Sequence, residues 1–290
     1  MNKIKNTLNI TLLSAILGMA GAAQAEVKPE LAAKVPESIK AAGVLTVGSQ
    51  QTFPPVEYRR DGEDMPVGVS ASLLAEITER LGLALEYRQA DYSALIPGLE
   101  AKRFDMASGG ISDTEEREQK VDFVNYMMSG ASILLRQEDD GKYKTIMDFC
   151  DDSISTMLGG RTIMTAVEAA SADCVAAGKG EITAEQLPGA PDSRMQLDLK
   201  RVNGYIGDFP ALVYMISGDP DKYVIADGNY LLVKYVTSWA FPKESPLTPL
   251  FQETVQGMLE DGSYLAILEE WGMQGAALPE ITINLPASKR

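Results

Sequence analysis

The chain has 290 residues, with 26 Lys and Arg against 41 Asp and Glu, a formal net charge of −15 and no histidine. That charge makes nucleic acid a poor partner. The lack of histidine removes Ser-His-Asp and Cys-His catalysis and the common zinc sites, leaving carboxylates, Lys, Tyr and Cys for acid–base work.

The first residues read as a secretory leader: Lys3 and Lys5, an apolar stretch, and Ala23-Gln24-Ala25 as an A-x-A cleavage site. An exported, periplasmic chain cut after Ala25 is expected. No cysteine follows the cut to carry a lipid, and no later apolar run is long enough to cross a bilayer. Losing the two lysines leaves 24 basic against 41 acidic residues, net about −17. The remaining length suggests two domains or one large one.

In chain order, VLTVGS (44–49) predicts a first strand. PVGVSASLLAEITERLG predicts a helix with Leu73, Leu74, Ile77 and Leu81 on one face, stopped by Gly82. ALEYRQ (84–89) is a strand, and Tyr92 to Ala101 a helix whose start is delayed by Pro97. DMASGG (105–110) is a strand running into glycines. A second region begins near Tyr143. SISTML (153–158) reads as a strand, TIMTAVEAASADCVAAGK as a helix, VNGYIGD (202–208) as a strand and FPALVYMI as a helix. YVTSWAF (235–241) is strand-like. TPLFQETVQGMLEDG is a helix with Thr248 as N-cap and Pro249 at its first position, and YLAILEEW is a last short helix. The tail after Met273 reads as extended. Alternation of strands and helices argues for an α/β fold with largely parallel sheet, in two units. Cys150 and Cys174 in an oxidising compartment suggest one disulfide worth roughly 3 kcal/mol, with two buried thiols as the alternative.

Ligands of open α/β sheets sit beyond the carboxyl ends of the strands. Three such loops stand out: GGISDTEER (109–117), LGGRT (158–162) and IGD (206–208). In the first, Arg117 can bind a carboxylate bidentately while Ser112 and Thr114 donate hydroxyl bonds. A capped helix start with a surface arginine is the alternative. Asp208 can receive an ammonium, or can cap the helix that follows it. A cation trap and an anion trap in two units match the two ends of a zwitterion. Phe53 and Tyr92 can pack on a ligand, or can be ordinary core aromatics.

The order of motifs over residues 40–273 resembles the family 3 solute-binding proteins, the polar amino-acid receptors of bacterial ABC importers. The matching segments are TFPPVEY, GVSASLLAEITERLG, YSALIPGLEAKRFD, GISDTEEREQKVDF, RVNGYIGD and LEDGSYLAILEEWGM. The resemblance implies a type II periplasmic-binding-protein fold with a cleft between two lobes: residues 26–137 with 237–290, and residues 138–236. It implies that Arg117 and Ser112 hold the ligand α-carboxylate with help from Gly110 and Thr162. Asp208 would hold the α-ammonium, and Phe53 and Tyr92 would pack on the side chain. It also matches a subgroup with a cysteine in the segment that opens the second lobe. No cofactor or metal is implied.

Ser70, Ser72 and Asn203 stand where the family usually has aspartates. Gln50 replaces an acid that contacts ligand side chains in several relatives, and Arg161 sits where a small hydroxyl residue is common. A neutral or polar amino acid is therefore expected, then an acidic one, and a cationic one last. The function expected is a monomeric, non-enzymatic transport receptor that hands its amino acid to an ABC permease. Alternatives are an enzyme of the same fold, dehydratase-like or murein-cleaving, and a sensor input protein working with a separate partner.

Overall fold

The computed structural model describes residues 26–158, 161–188, 190–228 and 230–290, without the side chains of Arg161 and Ala190. The leader with its expected cut after Ala25, and Gly159-Gly160 of the LGGRT loop, lie outside the described residues.

Two short helices, α1 (Pro29–Ala32) and α2 (Glu37–Ala42), lead into β1 (Val44–Ser49). A small hairpin follows, β2 (Thr52–Phe53) and β3 (Glu57–Tyr58), then α3 (Val69–Leu81) and β4 (Ala84–Gln89). Next come α4 (Leu95–Glu100), β5 (Met106–Ser112), α5 (Glu115–Glu118) and the long β6 (Val121–Arg136). The second unit contains β7 (Ser153–Met157), α6 (Arg161–Ala176), β8 (Thr183–Leu187), α7 (Ala190–Asp198), β9 (Gly204–Asp208), α8 (Phe209–Gly218) and β10 (Tyr223–Ile225). The chain returns through β11 (Val233–Pro242) to α9 (Leu247–Asp261), α10 (Ser263–Glu270) and β12 (Thr282–Ile283).

Local chemistry explains most boundaries. In α3, Leu73, Leu74, Ile77 and Leu81 are buried on one face, and Gly82 takes the left-handed conformation that ends the helix. Before α4, Tyr92–Ala94 make one 3₁₀ turn. Starting α4 at Leu95 puts Pro97 in the first turn, where its missing N–H is no loss. The expected N-cap at Thr248 is not realised, because α9 begins one residue earlier. Ser245 serves that end instead: its Oγ accepts from the Leu247 N–H and its carbonyl from the Thr248 N–H. Thr248 is left buried inside the first turn.

The sheet order is β4-β1-β5-β11-β6-β9-β7-β8. At one wing β1 runs parallel to both β4 and β5, and at the other β7 runs parallel to both β8 and β9. In between, β6 and β11 pair antiparallel from Ala131–Val233 to Val121–Pro242. These two strands carry the chain out to the second unit and back. The parallel sheet read from the sequence is thus present in each wing, with antiparallel pairing where the chain crosses over.

Among the described residues apolar burial separates into four groups, of which two are the larger and the others surround Phe104 with α4 and Tyr205 with α8. The first surrounds Trp239, Phe241 and Phe251 with α3, α9 and α10. The second surrounds Phe149, Ile154, Ile206 and Cys174 with α6. Each fully buried Leu, Ile or Phe contributes roughly 1.5–3 kcal/mol relative to exposure. The Cys150–Cys174 disulfide fastens the segment before β7 to α6, with the Cα atoms 5.5 Å apart.

The aspartate-to-serine changes have a structural counterpart. Ser70 Oγ accepts the Trp239 indole N–H at 2.9 Å, and Ser72 Oγ accepts that of Trp271 at 3.0 Å. Both tryptophans of the chain are therefore anchored to α3 through neutral acceptors. Asn203 accepts from the Ser153 N–H and donates to the Tyr143 hydroxyl at 2.9 Å. The tail, read from the sequence as extended, is so only in part: 3₁₀ turns form at Gln274–Ala276 and Ala287–Lys289, and the stretch between them is bound to the sheet. β12 pairs with Asn125 and Val124 of β6, and Asn284 bonds both the Phe123 N–H and Asp122.

Candidate functional site

The loops singled out in the sequence follow the carboxyl ends of parallel strands: Gln50 after β1, Tyr92 after β4, Ser112 at the end of β5 and Asp208 at the end of β9. Parallel pairing places the ends of β1, β4 and β5 together, where open α/β sheets bind ligands. Three antiparallel pairings separate β5 from β9, so β9 runs the opposite way and its end comes toward theirs: Ser112 lies opposite Thr237 of β11, and Asp208 opposite Ala131 of β6.

Arg117 lies in the single turn of α5. Thr114 caps that turn by accepting the Arg117 N–H at 3.3 Å, so the hydroxyl serves the helix start. The Arg117 guanidinium turns back to the Ser112 carbonyl, 2.9 Å from Nη1, and stands 5.6 Å from the centre of the Tyr92 ring. The capped helix start read from GGISDTEER is realised, and its arginine stands over an aromatic face. Cation–π contact of this kind contributes about 0.5–1 kcal/mol at an exposed site and leaves guanidinium N–H groups for an anion.

Gly110 owes its place to Phe53. It has φ of +83°, and a Cβ there would stand 2.5 Å from Phe53 Cδ1. The ring of Phe53 thus lies flat against the end of β5, half-buried and also touching the first apolar core. Gln50 donates from Nε2 to the Gly109 carbonyl at 3.0 Å. A hollow of about 430 Å³ opens beside it, lined by Gln50, Thr52, Gln89, Ala90, Asp91 and Tyr92.

Asp208 precedes α8, yet its side chain caps no helix N–H. Its carboxylate instead accepts the Tyr235 hydroxyl. Burial pushes the Asp208 carboxyl above the ordinary range, and the Tyr235 hydrogen bond opposes that rise. Tyr235 is pushed well up in turn, first by burial and then by the charge of Asp208, with Tyr92 close enough to add a smaller effect. These four side chains thus line up as two contacting pairs, Arg117 with Tyr92 in the first unit and Tyr235 with Asp208 at the second, and only a weak electrostatic influence of Tyr92 on Tyr235 passes between the pairs. Thr162 lies exposed in the first turn of α6, and among the described residues no hydrogen bond joins it to either pair. The Arg161 side chain lies outside the described residues.

Sequence reasoning missed four features. Tyr235 was read only as part of a strand, since nothing in YVTSWAF marks one aromatic as facing a carboxylate. Tyr58 of β3 meets Tyr214 of α8 with ring centroids 5.7 Å apart, a contact between the two units. Behind β1 and β5, Glu57 is fully buried and accepts from the hydroxyls of Ser49 and Ser108. Burial raises its pKa, and the serine hydrogen bonds offset part of that rise. Next to Ser112, Asp113 is 2 % exposed and its pKa is raised to about 7, chiefly by burial and then by Glu118. Asn125 and Lys289 act in the opposite sense on it.

Among the described residues no group of three or more His, Cys, Asp and Glu side chains could hold a metal ion. No helix of the described residues is long and apolar enough to cross a membrane.

Comparison with known proteins follows the same motifs. The model of the bacterial extracellular solute-binding proteins, family 3, matches residues 45–274. The chain is similar to the arginine-binding protein ArgT of Corynebacterium glutamicum, with 29% identity over 259 residues, 88% of this chain and 83% of that protein. Its fold is similar to that of the ancestral cationic amino acid solute-binding protein AncCDT-1, with a TM-score of 0.68 and 22% identity over 81% of this chain and 97% of that one. It is also similar to AbpA of Streptococcus pneumoniae, solved with L-arginine bound, with a TM-score of 0.63 and 23% identity over 84% of this chain and 100% of that one.

Proposed function

The chain belongs to the bacterial extracellular solute-binding proteins of family 3, and from that premise we propose that it is a periplasmic receptor which binds a free amino acid between its units and delivers it to an ABC permease. The observation that supports this reading is the pair of strand-end groups, Arg117 over the Tyr92 ring in the first unit and the buried Asp208 bonded to Tyr235 at the second. Arg117, with the Ser112 hydroxyl and the Gly110 and Thr162 groups, receives the α-carboxylate. Asp208 receives the α-ammonium, and Phe53 and Tyr92 flank the side chain. The two lobes are residues 26–137 with 237–290 and residues 138–236, joined by β6 and β11. Only the closed form lets one zwitterion meet both charges, which couples binding to hinge closure. The receptor acts as a monomer and is exported by a leader cut after Ala25.

For the ligand side chain, the amide of Gln50 provides polarity without charge and supports a neutral or polar amino acid. A second reading, a cationic amino acid, is supported by Asp91, an exposed carboxylate on the hollow beside Tyr92 that caps no helix N–H. It is supported also by the similarity to an arginine-binding relative. Thermal-shift screening of the mature protein against all amino acids, followed by competition among glutamine, leucine, glutamate, lysine and arginine, decides between them. Tightest binding of glutamine or leucine supports the first reading and tightest binding of lysine or arginine the second. No stabilisation by any amino acid overturns the receptor reading.

A further inference from the structure

We propose that Tyr235 is the positioning residue of the ammonium site: its phenol donates to one carboxylate oxygen of Asp208 and leaves the other for the ligand's primary ammonium. The inference rests on the reading that Asp208 receives that ammonium, and goes beyond it by naming the group that makes Asp208 fit to do so.

Asp208 is an unusual carboxylate for its place. It stands where a helix N-cap would stand, but it accepts nothing from the N–H groups of α8. The groups that act on its ionisation are burial and one neutral donor, Tyr235, with no cation among them. A carboxylate removed from water needs compensation for its charge. A single phenol supplies one hydrogen bond, whereas an ionised carboxylate accepts several. The remaining capacity is what a ligand ammonium would fill.

Tyr235 is placed to keep that capacity fixed. It lies on β11, directly opposite Ser129 of β6, so the phenol belongs to the crossing strands and not to either wing of the sheet. Ser129 is buried, and its hydroxyl is a hydrogen-bonding neighbour of the phenol. The relay Ser129–Tyr235–Asp208 therefore ties the second unit's carboxylate to the strands about which the units are joined. Tyr92, from the first unit, is near enough to exert a weak electrostatic effect on the same phenol. The other group that senses Asp208 is Tyr205, with Arg194 beyond it. Burial holds Tyr205 and Tyr235 above the ordinary phenol range and raises the Asp208 carboxyl, so Asp208 is the acidic group of this cluster whose ionisation the Tyr235 hydrogen bond favours.

The sign of the effect follows. Losing the phenol hydroxyl removes the interaction that opposes burial, so the Asp208 carboxyl protonates at a higher pH. A protonated Asp208 cannot pair with an ammonium. The affinity of a Tyr235→Phe variant should therefore fall away earlier than that of wild type as pH is lowered. Between the two midpoints the variant-to-wild-type ratio of Kd should approach a tenfold increase per pH unit, as proton linkage requires.

The test is calorimetric titration, from pH 8 to pH 4.5, of wild type, Tyr235→Phe and Ser129→Ala with the amino acid that stabilises wild type most in the thermal-shift screen. Circular dichroism checks that each variant is folded. The expected result is a Kd ratio for Tyr235→Phe that grows as pH falls, with Ser129→Ala changing in the same sense by less and standing as the second variant if the first fails to fold. A ratio that stays constant with pH, or no change in affinity, overturns the role of Tyr235 while leaving the receptor reading intact. Failure of wild type to bind any amino acid overturns both.

Discussion

Replacing Gly110 with alanine probes the close fit between the end of β5 and the ring of Phe53. A Cβ at Gly110 would stand 2.5 Å from Phe53 Cδ1 and 2.7 Å from Cε1, on a backbone with φ of +83°. The preceding Gly109 has φ of +100°, but the nearest atoms to its Cβ position are at 3.4 Å. Left-handed backbone alone costs a non-glycine residue about 1–2 kcal/mol, which is the loss expected for Gly109→Ala. Gly110→Ala adds an overlap with an aromatic ring, about 1–3 kcal/mol, for a total of roughly 2–5 kcal/mol. In a chain of this size each kcal/mol lowers Tm by about 2–4 °C, so Gly110→Ala should melt roughly 5–15 °C lower. Thermal unfolding of wild type, Gly109→Ala, Gly110→Ala, Phe53→Ala and Phe53→Ala/Gly110→Ala completes a double-mutant cycle. Removing the ring should relieve about 1–3 kcal/mol of the Gly110→Ala penalty, seen as a favourable coupling. If Gly110→Ala melts with Gly109→Ala, and its effect simply adds to that of Phe53→Ala, the contact does not constrain the loop.

Arg117→Ala should abolish detectable amino-acid binding and keep the fold, because removing one partner of a desolvated charge pair costs about 2–5 kcal/mol. Asp208→Asn should weaken binding similarly while sparing ligands without an α-ammonium, and calorimetry on both reads the result. Cys150→Ser/Cys174→Ser should lose about 3.5 kcal/mol in urea unfolding, the chain-entropy value for the 24-residue separation the disulfide closes. The Asp113 carboxyl is held at about 7 in the fold against 3.8 ordinarily. An acid with a raised folded pKa stabilises the fold while protonated and loses that contribution as pH climbs from the unfolded value through the folded one. Asp113→Asn should therefore raise Tm at pH 8, leave it nearly unchanged at pH 4, and flatten the slope between them.

The first wing, and β7 and β9 of the second, were legible because their strands are short apolar runs beside glycine, with helices of clear periodicity between them; β8, TAEQL, was not, being a polar and largely exposed edge strand. The long β6 was not. VDFVNYMMSGASILLR is buried on both faces for most of its length, so neither alternation nor a turn marks it as a strand. Thr248 followed by Pro249 carried the usual signature of a helix start, but Ser245 lies closer to the real one and took the role. The capped turn that carries Arg117 was legible from Thr114 and the carboxylates after it, whereas the approach of its guanidinium to the Tyr92 ring was not. Asp208 was legible as a strand-end carboxylate. Its partner Tyr235 was not, since that pairing depends on β11 lying next to β6 and β6 next to β9. The same holds for Tyr58 and Tyr214, which meet only once the second unit folds back against the hairpin of the first.

The most direct test of the central claim is calorimetric titration of the mature protein with three forms of one side chain: the amino acid that binds best, its deaminated acid and its decarboxylated amine. Arg117 and Asp208 acting together predict tight binding of the zwitterion and a loss of at least a hundredfold for each truncated form. Comparable binding of the acid or of the amine alone would contradict the two-ended site.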